Sequence, residues 1–357
     1  GGAPKDNSGL AIFGVPRHLE DGSRNKYRFV RLKDKMGTKS MASGEALFEG
    51  AVGYAFGDVG AKKNPGLRQM MDQVVMSRLS HGVRAAGMMR RCLNEALVTA
   101  QNREVFGEPI IEKPLLRRQL LKMLIPTEQS LSMVMHVATQ LHASNQGDKA
   151  AEKLNRILTP LLKFRTCRDN VEVAGGALEI RGGNGFIEDW VNPRLVRDAY
   201  TGLLWEGTSN INALDITTRA VAKSRAHDDL AEDLKKRIRE ASGIPGQYAG
   251  ELSALVDRAH EFADEVARTN NETLARQASN ALYHATTATL FAEEGVKLGK
   301  AGKDARRLLL SRFVRDTKLK PSDPLSVGET RFEIEAGNRL LSSEPVSLEE
   351  ATDLLLL

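Results

Sequence analysis

The sequence predicts a mainly α-helical chain that opens on part of a β domain. Two observations predict this, and a third divides the helical part. Residues 1–62 carry short apolar runs with period-two alternation and no helical period. After Asn64-Pro65-Gly66, apolar residues recur at helical spacing over long stretches. From Ser224 the texture changes again, with Asp228, Asp229, Glu232 and Asp233 opening a charged amphipathic pattern. The expected organisation is a partial middle β domain over 1–62, a helical domain over 63–222 and an appended helical domain over 223–357. A chain of 357 residues that is 41% hydrophobic and 27% charged can bury cores of this number and is not a disordered one.

The elements follow in order. Leu10 to Pro16 is a short apolar run closed by proline, and Tyr27 to Leu32 alternates as a half-buried strand does. Ala46-Leu47-Phe48 follows a Lys/Asp/Gly loop. Asn64 reads as a helix cap before a first-turn proline, and Leu67, Met70, Met71, Val74, Val75, Leu79, Val83 and Ala86 define a helix to about Gln101. A second helix is expected over Pro114 to about Ser144, kinked or broken at Pro126. A third runs from about Asp148 to Ile180 and stops at glycines 182, 183 and 185. Shorter helices are expected near 193–200 and 210–223. Further ones follow over about 248–270, 272–301, 303–317 and 329–341, with a break at Pro321 and Pro324.

Composition excludes several classes. No apolar run approaches the roughly 18 residues of a membrane span. Two cysteines, Cys92 and Cys167, exclude a disulfide scaffold and read as small core residues. The seven histidines show no metal-ligand spacing, so no metal is expected. Net charge is +5, which by itself hints at an acidic ligand or nucleic acid. Residues 223–357 hold 20 basic and 23 acidic side chains, so the excess lies in residues 1–222, at +8. Within the acidic part, Lys297 to Lys320 carries nine basic residues against Asp304 and Asp316. That stripe reads as a solvated helix face, or as a DNA-facing one if its charges share a face and bind with strong salt dependence.

Four segments carry candidate chemistry. Arg103-Glu104-Val105-Phe106-Gly107 joins the first two long helices, and a guanidinium fork suits pyrophosphate; alone it reads as an inter-helix loop with a buried Phe. Arg181-Gly182-Gly183-Asn184-Gly185 would let a backbone approach a ligand closely, though alone it reads as a helix-ending turn. Leu204-Trp205-Glu206-Gly207-Thr208 places a carboxylate beside apolar neighbours. Desolvation there would raise its pKa and make it a better base; the alternative is a helix-start turn capped by Thr208 or Ser209. Arg78 interrupts an apolar face and either pairs with an anion or snorkels at a bundle edge.

In this order and spacing, the four segments together with Phe13-Gly14-Val15-Pro16 and Lys33-Asp34-Lys35-Met36-Gly37 resemble the acyl-CoA dehydrogenase family of flavoenzymes over residues about 10–222. The resemblance implies the end of a middle β domain followed by a four-helix domain that forms tetramers or dimers. The chain opens Gly1-Gly2-Ala3-Pro4 without Met and reads as the C-terminal part of a longer dehydrogenase. The resemblance further implies FAD as cofactor and an acyl-CoA thioester as substrate, in fatty acid metabolism. Glu206 would take the α-proton as the β-hydride passes to flavin N5, with its own backbone N–H helping to hold the developing enolate. Arg78 would lie close to the base. Arg103 and Phe106 would contact FAD across a subunit interface, Gly183 would lie near the FAD, and Thr208 near its pyrophosphate or adenosine end. Glu179 and Asn210 stand where the family places FAD-binding Gln residues, as does Pro114. Trp205 stands in place of a frequent Tyr, and Val75 in place of an Asp that some members set near the pantetheine. With Met88-Met89-Arg90-Arg91, these departures resemble the AidB-like branch, associated with acyl-CoA dehydrogenation and with DNA binding. A cytoplasmic location, electron-transferring flavoprotein as electron acceptor and no membrane contact complete the expectation.

Overall fold

The computed structural model describes residues 10–57, 65–320, 323, 325 and 330–357. It divides into two compact units, Gly1–Ser77 and Arg78–Leu357. In the first unit β1 (Ile12–Gly14) pairs antiparallel with β4 (Tyr54–Phe56), and β2 (Tyr27–Leu32) with β3 (Gly44–Phe48). Asn25 ties these loops together: its side chain donates to the carbonyls of Pro16 and Val52 and accepts from Val52 N–H. The expected Asn64 cap lies outside the described residues.

Helix α1 (Pro65–Asn102) begins in the first unit and runs through the second. A two-residue hairpin, β5 (Glu104–Val105) and β6 (Glu108–Pro109), links it to α2 (Pro114–Asn145). The α2 helix passes through Pro126 without ending, so of the expected kink or break the break is absent. Thr127 and Ser130 next to it turn their hydroxyls onto the carbonyls of Met123 and Thr127. Helix α3 (Lys149–Arg181) starts at Asp148, whose carboxylate accepts from the N–H groups of Ala150 and Ala151. Then come α4 (Asn192–Leu204) and α5 (Ser209–Asp215), the latter continuing as a π-helical segment, Ile216–Val221.

The remaining helices are α6 (Ala226–Glu240), α7 (Gly246–Arg268), α8 (Ala275–Lys300), α9 (Arg307–Val314), α10 (Arg331–Leu341) and α11 (Leu348–Leu356). The sequence reading missed α11, although Ser347 and Glu350 stand at the spacing of a capping signature, and Ser347 does accept from Glu350 N–H. The expected stop at Pro321 and Pro324 lies outside the described residues. One hydrophobic cluster joins Met89 and Leu93 of α1, Leu158 and Leu161 of α3, Phe291 of α8 and Leu309 of α9. Helices from both sides of residue 222 therefore share one core. Cys92 lies within it, and Cys167 is also buried.

The basic stripe divides: its five lysines, Lys297, Lys300, Lys303, Lys318 and Lys320, are exposed, whereas its four arginines are engaged within the fold. Arg306 pairs with Asp304 and donates to the carbonyls of Ser342 and Glu344. Arg307 bridges Glu128 of α2 and Glu294 of α8. Arg312 donates to Leu355 O and lies 3.9 Å over the Phe332 ring. Arg315, itself buried, pairs with Glu251 and Asp316. These four arginines fasten the C-terminal helices by charge-assisted bonds, which leaves them few donors for phosphates.

Candidate active site

The turn after α4 carries the most constrained backbone near the candidate base. Glu206 has φ 56° and Gly207 φ 92°. A non-glycine residue with positive φ costs roughly 1–3 kcal/mol and persists only where its surroundings hold it. Here two donors hold the turn: Lys163 Nζ of α3 and Asn212 Nδ2 of α5 both donate to Gly207 O, the second at 2.7 Å, and Asn212 also reaches Thr208 O at 3.0 Å. Thr208 sits at the α5 N-cap position but makes no side-chain cap bond, and Asn210 is exposed in the first turn. The expected apolar shell around Glu206 is not formed by its sequence neighbours: Leu204 is 65% and Trp205 37% exposed. Trp205 instead meets His81 edge-on, ring centroids 5.9 Å apart.

The groups around Glu206 are cationic. Lys163 is only 1% exposed, and its pKa is lowered to about 8, by burial first and then by the charges of Arg78 and Arg84, with Cys167 and Glu206 opposing. Burial also lowers His81 to about 4, with Arg84 and Lys163 adding to the effect and Glu206 opposing it. His81 is therefore neutral near pH 7, with Arg84 Nη2 3.2 Å from its Nδ1. Arg78 does not snorkel. It is buried and donates to Asp215 Oδ2 at 2.9 Å, while Arg156 donates to Asp215 Oδ1 at 2.8 Å. Burial pushes the Asp215 carboxyl up, but the hydrogen bonds and charges of Arg156 and Arg78 outweigh it and hold the pKa below 3.8.

The second candidate region lies at the end of α1 and α3. The hairpin turn has Phe106 at φ 58° and Gly107 at φ 86°, the two-residue turn with both central φ positive that suits a tight hairpin. Phe106 is 93% exposed, unlike the buried Phe of the plain inter-helix-loop alternative. Arg103 and Gly183, 80 residues apart in sequence, line one cavity of about 280 Å³ with Thr99, Arg181 and Asn184. Arg103 Nη1 reaches Arg181 O at 3.5 Å. Arg181 is committed to Glu95 at 2.7 Å and stacks on Trp190. Exposed Glu179 accepts from Gln119 Nε2 at 2.9 Å. Two guanidiniums and a glycine backbone are a donor set that fits a phosphate-bearing group.

The glycines of this turn have different jobs. A Cβ on Gly185 would lie 2.1 Å from Leu178 O, whereas one on Gly183 would meet nothing. Gly185→Ala is expected to destabilise the fold by about 1–3 kcal/mol, read as a lower midpoint in urea unfolding. Gly183→Ala is expected to leave that midpoint unchanged and to weaken only a ligand that approaches its backbone.

The sequence reading missed Lys163, Asp215 and His81. Lys163 and Asp215 each carried a signal, a lone charge inside an apolar run (Leu161-Leu162-Lys163-Phe164 and Leu214-Asp215-Ile216).

The sequence profile of the family described as "Acyl-CoA dehydrogenase, C-terminal domain" matches residues 64–221, the stretch that holds both regions. This chain belongs to the acyl-CoA dehydrogenase family. Within the family it is 34% identical over 261 residues to AidB of Escherichia coli (strain K12), which covers 73% of this chain and 46% of AidB. The chain thus spans about half the length of that relative. Its fold is similar to that of Caenorhabditis elegans ACDH-11, solved in complex with C11-CoA, with TM-score 0.73 at 24% identity over 89% of this chain and 55% of the other. It is also similar in fold to an acyl-CoA dehydrogenase from Bacillus anthracis complexed with FAD, with TM-score 0.67 at 16% identity over 97% and 66% of the two chains. Among the described residues no helix is long and apolar enough to cross a membrane.

Proposed function

We propose that this chain is the flavin-facing portion of an AidB-like, FAD-dependent acyl-CoA dehydrogenase in which Glu206 removes the α-proton of the thioester. The observation that carries this reading is the positive-φ turn at Glu206-Gly207, gripped by Lys163 and Asn212. Such a turn fixes where the carboxylate and its backbone N–H point, as a base and an enolate donor require. FAD, when bound, supplies the hydride acceptor. Arg103 and the Gly183 backbone would hold its phosphates, and the outward ring of Phe106 suits contact with a second subunit in a homotetramer or dimer. Arg78 acts on the site through its charge on Lys163, and Thr208 and Asn210 present exposed polar groups beside the base turn. Glu179 keeps its carboxylate on Gln119. Electron-transferring flavoprotein as acceptor and a cytoplasmic location belong to the same proposal.

The test is the absorption spectrum of the purified full-length protein, followed by anaerobic addition of a panel of acyl-CoAs. A flavin spectrum that bleaches with at least one thioester is expected. A protein without flavin, or a flavin that none of the panel reduces, contradicts the reading. A DNA-binding role is disfavoured because the arginines of the 297–320 stripe are committed inside the fold, which leaves only its exposed lysines to meet phosphates.

A further inference from the structure

Away from Glu206, two histidines and two aspartates converge where the start of α6 meets the middle of α7. His227 and Asp228 are adjacent on α6, and His260 and Asp264 stand one turn apart on α7. The two imidazoles stack, centroids 4.6 Å apart and 15° from parallel. Their Nε2 atoms face the carboxylates: His227 Nε2 is 3.2 Å from Asp264 Oδ1 and 3.5 Å from Asp228 Oδ1, and His260 Nε2–H donates to Asp228 Oδ1 at 2.7 Å. One ligand atom from each of His227, Asp228 and His260 falls within 4.8 Å of the others. Zinc bonds of about 2.0–2.2 Å give tetrahedral ligand-to-ligand edges of about 3.3–3.6 Å. The spacings to His227 already match those edges, and the His260–Asp228 contact must lengthen as its proton leaves.

We infer that His227, Asp228 and His260, completed by Asp264, form a binding site for a divalent transition cation of the zinc class. Two imidazoles with carboxylates suit zinc and its neighbours, and not calcium or magnesium. The Arg225 guanidinium now holds the cation's place: its Nε and Nη2 bind Asp228 at 2.8 and 3.0 Å, and its Nη1 binds Asp264. Arg225 is half exposed, so it can swing into solvent as a metal enters. The buried Nδ1 of His227 has no hydrogen-bond partner, so the outer support that tightens metal-bound histidines is missing there. That makes this an exchangeable site joining α6 to α7. Sequence spacing hides it, because the histidines lie 33 positions apart on two helices; the expectation of no metal compared neighbours along the chain.

The experiment is Zn²⁺ titration of the metal-free chain by calorimetry, with Co²⁺ absorption as the geometric readout. One Zn²⁺ per chain and a tetrahedral Co²⁺ spectrum are expected. His260→Asn should weaken binding at least about tenfold, and Arg225→Ala should tighten it by removing the competing cation. His227 is fully buried, so Asp264→Asn serves as the second ligand variant if His227→Asn does not fold. Absence of one-to-one binding, equal binding by wild type and His260→Asn, or binding by Arg225→Ala no tighter than by wild type each overturns the proposal.

Discussion

On the proposed function, Glu206→Gln is expected to lower acyl-CoA turnover by at least about 10²–10⁴-fold, the usual contribution of a positioned general base, and to leave the flavin bound. The substitution keeps side-chain shape, so the positive-φ turn and the grip of Lys163 and Asn212 on Gly207 O survive. The amide cannot accept the α-proton. Flavin retention is expected because the cavity of Arg103 and Gly183 does not include Glu206. Turnover with an artificial electron acceptor, paired with flavin absorbance per chain, checks both halves. Loss of flavin together with activity would make Glu206 a structural residue.

Asp215→Asn is expected to lower stability by about 3–5 kcal/mol, the cost of removing one partner from a buried ion pair. Arg78 is buried and donates to Asp215, so the variant leaves a buried guanidinium facing an amide. Arg156 is partly exposed and recovers water more easily. The pH dependence has a definite sign. The folded carboxyl titrates below its ordinary 3.8, so its stabilisation is fully present above the unfolded value and is lost as pH falls through the folded one. Wild type should therefore lose stability as the pH drops below about 4, and Asp215→Asn should show a shallower loss over that window. Urea unfolding of both proteins between pH 3 and 7 measures this. Equal midpoints at pH 7 would show that the pair contributes nothing.

Much of the chemistry that is local in the fold was legible in the sequence. Helix limits at Pro65, Pro114 and Asp148 follow from capping and proline rules, and the structure places them within a residue of expectation. The order of the Arg103, Gly183 and Glu206 segments carried the family resemblance. Partnerships across the bundle were hidden. Asp215 lies 137 positions from Arg78, and the two histidines of the α6–α7 cluster come from separate helices. Position in sequence also misled about exposure: Trp205 and Leu204 beside Glu206 face outward, and the groups that feel its charge, His81 and Lys163, come from α1 and α3. The 297–320 stripe shows the same limit, because a run of arginines reads alike whether its charges meet water or the carboxylates of other helices.

The most direct measurement of the central claim is anaerobic stopped-flow bleaching of the bound flavin by an acyl-CoA that reduces the wild-type protein. Wild type should bleach rapidly within a single turnover, and Glu206→Gln should keep its flavin spectrum but bleach at least about 10²-fold more slowly. Bleaching of Glu206→Gln at the wild-type rate would contradict the assignment of Glu206 as the base.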